Sequence, residues 1–251
     1  MAALEADTPE PHLLYGINSR AWLALVMSFL GEFAAGRPYV EEALRLATGA
    51  GQRYTDTPHG CLGLLYLTQG DLAQAIRVLD QALAFLRTID DRNWSRWITA
   101  GLGHAYALAG RITEGLALLE SAVRDDIRTG ALHAHSDHVT RLSEVCLLAG
   151  RHTEAWQHAR TALDLARQYR ERGYEALALR QLGAVCAHAA PPDIEQAAAH
   201  CHRGLGTLYA TTGQREQART ELSTAIEMYR SMEMTFWLPQ TEAALAQVEG
   251  R

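Results

Sequence analysis

A short set of residues recurs along this chain at an almost constant interval, and that interval limits the fold more than any other feature. Leu62-Gly63-x-x-Tyr66, Leu102-Gly103-x-x-Tyr106, Leu182-Gly183-x-x-Cys186 and Leu205-Gly206-x-x-Tyr209 share one pattern, with Leu142-Ser143-x-x-Cys146 and Leu23-Ala24-x-x-Met27 as weaker copies. Seven residues beyond the second position stand Gly31, Gly70, Gly110, Gly150 and Gly213, with Ala190 in that place once. Five further come Gly36, Ala75, Gly115, Ala155 and Ala218, and seven beyond those Ala43, Ala82, Ala122, Ala162 and Ala225. Each type has a physical reason. The small residue lets two helices approach closely, the tyrosine fills the space beside it, and the later glycine suits the left-handed turn that ends a helix. One such unit cannot bury its own apolar face, so recurrence means stacked helix pairs sharing a core.

The pattern resembles the tetratricopeptide repeat. Spacings of the second motif position are 39 (24 to 63), then 40, 40 and 40, then 23 (183 to 206). The basic unit of that class is about 34 residues, so helices lengthened by a turn, or longer links, are expected. First helices are predicted near 18–30, 57–69, 96–109, 136–149 and 175–189, and second helices near 34–49, 72–88, 113–128 and 153–172. Helices near 194–211 and 215–231 follow, then a capping helix after Pro239. The short last interval, with Pro191-Pro192-Asp193 inserted, implies that one helix is missing between Ala190 and Ala198. A lost helix removes two interfaces, so residues 186–200 are expected to be the weak point. The expected organisation is a loose leader over 1–16 and a single all-α, right-handed solenoid over 17–251, with the shortened repeat near 184–200.

At closer range "GLLYLTQGDLAQAIRVLDQALA" (Gly63 to Ala84), "GHAYALAGRITEGLALLESAV" (Gly103 to Val123) and "ERGYEALALRQLG" (Glu171 to Gly183) are similar to the C-terminal repeat tail of bacterial adenylate/guanylate cyclase-type regulators. So is the stretch from Ala199 to Leu245. In those proteins a cyclase domain and a P-loop ATPase module precede the repeats. The resemblance implies a regulatory signalling tail, and the scattered cysteines fit a reducing cytoplasm. The resemblance also implies a protein or peptide partner, such as a cyclase/ATPase module or a second copy of the chain. No catalysis carries over: the chain has no GxxxxGK[ST], and all 23 of its basic residues are arginine.

Composition narrows the function classes. A net charge of -6, with both signs spread along the chain, argues against nucleic acid as the partner. Cys61, Cys146, Cys186 and Cys201 stand far apart without a CxxC, which fits neither a disulfide framework nor a zinc knuckle. No apolar run is long enough to span a membrane. Met1 to Tyr15 holds Glu5, Asp7 and Glu10 and no basic start, so no secretory signal is expected.

Few constellations carry chemistry. His133-x-His135-x-x-His138 could place two imidazoles on one helix face for a metal, or cap a solvated link. Cys186, His188, His200, Cys201 and His202 invite a zinc reading, but Cys186 and Cys201 fall at core positions, where free thiols act as small hydrophobes. Gly101-Leu-Gly103 and Gly204-Leu-Gly206 lie mid-helix with no strand before them, so neither cradles a phosphate. Paired carboxylates such as Glu41-Glu42 sit on surfaces. No enzyme, cofactor or metal site is therefore expected. Trp22 and Trp156 are expected in the core. Motif offsets place Leu64, Leu67, Trp97, His104, Thr140, Glu144, Arg180, His188, Arg203 and Thr207 on the concave face as the partner-binding residues. The expected function is a protein-interaction scaffold. The alternatives are a small-ligand-sensing regulatory domain or a vestigial fragment of a larger regulator.

Overall fold

The structure, a computed structural model, describes residues 11–49, 56–89, 91–130, 132, 134–189 and 191–250. Among them lie twelve helices and no strand: α1 (Pro11–Phe29), α2 (Phe33–Gly49), α3 (Asp56–Gln69), α4 (Leu72–Thr88), α5 (Arg92–Leu108), α6 (Ile112–Thr129), α7 (His135–Leu148), α8 (His152–Gln168), α9 (Arg172–Ala187), α10 (Ile194–Thr211), α11 (Arg215–Ser231) and α12 (Leu238–Val248). The chain divides into two compact units, Met1–Ala122 and Val123–Arg251, the boundary falling within α6.

Repeat glycines set the turns as the sequence predicts. Gly70 has φ +86°, and its amide donates to Leu67 O while that of Asp71 donates to Tyr66 O. This pair of bonds satisfies carbonyls that the end of α3 would otherwise leave free. Asp71 then caps α4, its carboxylate accepting from the Gln74 amide at 3.2 Å. Gly110 and Arg111 repeat the geometry between α5 and α6. After α8, Arg170 takes the same left-handed place with φ +58° and no glycine. α1 begins at Pro11, within the stretch 1–16 expected as a leader, and proline at a first turn has no amide to leave unpaired. Residues 1–10 lie outside the described ones.

In the first unit, α1 packs on α2 and α3, and α3 on α4 and α5. Ile17, Leu25, Val40, Leu65, Leu79, Ile98 and Leu102 form its core. Small residues decide how close the helices come. A Cβ built on Gly115 would stand 2.5 Å from the Gly103 carbonyl oxygen and 2.8 Å from Ala107 Cβ.

In the second unit the missing helix leaves no gap. α10 packs extensively on both α9 and α11, so one helix serves as second member of one pair and first member of the next. Its two close contacts show how. Gly183 of α9 lies under Ala197 and Cys201, and Gly206 of α10 lies under Leu222 of α11. Asp193 caps the helix, accepting from Gln196 N at 2.9 Å. The two interfaces expected to be lost near 186–200 are made by α10. The spacing of 23 therefore marks a three-helix unit.

Two glycine substitutions test this reading of the close contacts. Gly115→Ala drives a methyl into backbone and should lower stability by about 1–3 kcal/mol in urea unfolding. Gly173→Ala, with nothing within 4 Å of the new Cβ, should raise it by about 0.5–1 kcal/mol. Equal effects at the two positions would refute the packing argument.

Candidate functional site

Of the ten residues expected on a partner-binding face, five are buried. Leu64 and Leu67 belong to the core of the first unit. Thr140, Arg203 and Thr207 are also buried, and a buried side chain offers a partner no surface. Trp97, His104 and Glu144 are half-buried. Arg180 and His188 are exposed, Arg180 standing 3.7 Å from Glu144.

In the first unit six exposed large apolar residues gather on α1 and at its end, with Tyr39, Ile89 and Leu108 exposed elsewhere. Ile17, Ala21, Ala24, Leu25 and Ser28 face the core. Tyr15, Trp22, Leu23, Val26, Phe29 and Leu30 are exposed, Phe29 at 52% and Leu30 at 63%. At about 100° per residue these six fall in one stripe about 120° wide. The helix is therefore apolar on two opposite faces, and among the described residues only one is covered. Two further indoles, Trp94 and Trp97, stand beside Trp22 of the stripe. Trp22 stacks on Trp94 at 5.3 Å, and Trp97 meets both edge-on at 5.5 and 5.6 Å. Trp94 Nε1 donates to Thr57 Oγ1 at 2.6 Å, which fixes its ring. Trp22, expected in the core, is 40% exposed, because the motif register fixes which helix a residue lies on and not whether a neighbour covers it. Trp156 is partly buried against the core of the second unit.

The histidine-rich link is a clasp. Asp126, fully buried near the end of α6, accepts through Oδ2 from His135 Nδ1 at 2.9 Å and His138 Nδ1 at 2.7 Å. Glu171 accepts from the Ala134 amide at 3.3 Å and from the Ser136 hydroxyl. Together these carboxylates hold the start of α7. His133 lies outside the described residues. Among the described residues no group of three His, Cys, Asp or Glu could hold a metal ion. The other cysteine–histidine set disperses as well. Cys186 Sγ donates to Gln196 Oε1, His188 bonds the Ala184 carbonyl, and His202 pairs with Glu221. Burial pushes the Cys186 thiol up to about 12, which leaves it unreactive.

Sequence reasoning missed a second cluster, around Trp237 in the second unit. His200 is fully buried, its Nδ1 bonded to the Tyr229 hydroxyl at 2.8 Å and its ring edge-on to Trp237. Burial, then the charges of Arg203, Arg167 and Arg160, hold His200 down to about 3, so it is neutral. Those three guanidinium groups surround Trp237, 5.4 to 5.9 Å from its ring centroid. The available signal was the arginine at 160, 167 and 203, but only the fold brings these positions to one indole.

The comparisons with known proteins agree with the helical-repeat fold. Tetratricopeptide-repeat family models match residues 54–127 and 193–223. No curated protein sequence matches the chain. Among solved structures it is similar to BtubC (BKLC) from P. vanneervenii, at 17% identity and a TM-score of 0.54, covering 96% of this chain and 91% of that one. It is similar also to the tetratricopeptide-like repeats of a putative kinesin light chain from Podospora anserina, at 15% identity and a TM-score of 0.53, covering 90% and 100%. The apo form of RapI matches at 13% identity and a TM-score of 0.50, covering 98% of this chain and 62% of that one. The fold class is that of a tetratricopeptide-type α-solenoid. No helix among the described residues is long and apolar enough to cross a membrane.

Two outcomes follow from the buried polar groups. Asp126→Ala leaves two enclosed imidazoles without their carboxylate and should cost about 3 kcal/mol in urea unfolding. His200 is neutral when folded and takes up a proton more readily when unfolded, so its contribution is complete above about pH 6.5 and fades as pH falls toward 3. At pH 5 the wild type should lose about 2 kcal/mol more than His200→Gln does, relative to neutral pH. Parallel losses in the two chains would refute the assignment.

Proposed function

We propose that this tetratricopeptide-repeat chain is a non-catalytic regulatory scaffold, and that it binds a protein partner through the outer face of α1. The observation that carries the reading is the uncovered apolar stripe of Trp22, Val26, Phe29 and Leu30 beside the indoles of Trp94 and Trp97. A helix apolar all round is ordinarily buried all round, and large exposed apolar patches mark interaction sites. Indoles at such a surface supply large contact area at low entropic cost. The repeat fold supports the same reading, since stacked helix pairs serve chiefly to present recognition surfaces. The resemblance to cyclase-type regulators, with scattered cysteines that fit a reducing compartment, suggests the setting: a signalling tail in the cytoplasm whose partner is a cyclase/ATPase module or a second copy of the chain.

The test compares wild type with Val26→Asp/Phe29→Asp, two exposed positions whose change should leave circular dichroism unaltered. Sedimentation should show a wild-type dimer that the variant lacks, or affinity capture should retain a protein on wild type alone. A monomeric wild type that captures nothing beyond what the variant captures would overturn the proposal.

A further inference from the structure

Four helices of the second unit line a cleft of about 740 Å³ whose chemistry the scaffold reading leaves unused. Arg167 comes from α8, Arg170 from the turn after it, Arg172 from α9 and Arg203 from α10, and Phe236 and α12 form the opposite wall. Four guanidinium groups thus face two carboxylates, Asp164 and Glu175, in a chain whose net charge is -6.

Glu175 is shared. Its Oε1 accepts from Arg167 Nε at 3.1 Å and lies 3.9 Å from Arg203 Nη2. One carboxylate does not neutralise two cations. Arg203 is 2% exposed, and both its Nη1 and Arg167 Nη2 are enclosed without an acceptor. Besides the distant Glu175, Nη2 of Arg203 has a weak bond of 3.4 Å to the neutral Gln240. Burial and the neighbouring Arg167 push Arg203 down to about 10, the direction expected of a cation short of counter-charge. At the rim, Arg172 bonds only the neutral Gln247, at 2.7 Å, and no carboxylate among the described residues pairs with Arg170. A second cleft of about 400 Å³ continues past Arg172 and Thr207.

We infer that this cleft binds a small organic polyanion, its oxyanion groups on the exposed Arg170 and Arg172, its apolar body on Phe236, and the positive charge of Arg167 and the buried Arg203 beneath it. A guanidinium fork matches a carboxylate or a phosphate ester equally well, so both sources share the chemistry. A cleft of this volume lined by four helices suits a small molecule. The inference goes beyond the scaffold reading, and the two can fail separately because they rest on different units.

Calorimetric titration of the full chain with citrate and with inorganic pyrophosphate tests it. Saturable one-to-one binding with a Kd of about 1 mM or below is expected. Citrate binding alone assigns the carboxylates, pyrophosphate alone the phosphate esters, and both together the shared chemistry. Arg170→Gln/Arg172→Gln, at exposed positions, should weaken binding about tenfold or more with unchanged circular dichroism. Arg77→Gln, an exposed arginine of the first unit bonded to Gln74, should leave it unchanged. Absence of binding by both probes at about 10 mM would overturn the inference. So would equal weakening in the Arg77 variant, which would mark diffuse ionic attraction. A glutamate-rich peptide that binds about tenfold more tightly than citrate, and is lost with the same two arginines, would replace the small molecule with an acidic peptide.

Discussion

The closeness of paired helix backbones is the constraint on which the rest of the structure depends. At Gly103 and Gly115 there is no room for a methyl group without moving the opposing chain, and Gly183 meets the carbonyl of Ala197 in the same way. A solenoid is stabilised by nearest-neighbour interfaces, so a small residue at each crossing sets the distance at which those interfaces form. Larger side chains then pack around the crossing. Leu79 lies over Gly63 and Leu222 over Gly206.

The same constraint explains how the second unit tolerates an irregular repeat. α10 carries small residues on two faces, Ala197 with Cys201 toward α9 and Gly206 toward α11. A helix with one such face would have left α9 or α11 without a partner. Because α10 joins both, Arg203 in its middle lies close to Glu175 of α9 and to Trp237 ahead of α12. The arginine-rich cleft thus takes residues from α8, α9, α10 and α12, with α10 packed on both α9 and α11.

The two units solve the problem of exposed chemistry differently. In the first, the uncovered surface is apolar and aromatic, along α1. In the second, the uncompensated groups are cations held among aromatic rings, with Arg203 buried against Trp237. An apolar stripe favours a protein surface, whereas enclosed guanidinium groups favour an oxyanion.

The sequence by itself determined the helices and their links. The repeated glycines and small residues gave element boundaries within a few residues, from Phe33–Gly49 through Arg215–Ser231, because helix period and turn chemistry are local. It determined less about surfaces. Leu64, Thr140 and Arg203 were expected to face a partner and are buried, while Trp22 was expected in the core and is exposed. Motif offset fixes the angle of a side chain around its own helix. Whether another helix then covers that angle depends on residues far away in the chain. Spacing put His135 and His138 on one helix face, but the arrival of Asp126 between them, and of three arginines on Trp237, was decided only by tertiary structure, since these groups become neighbours through packing.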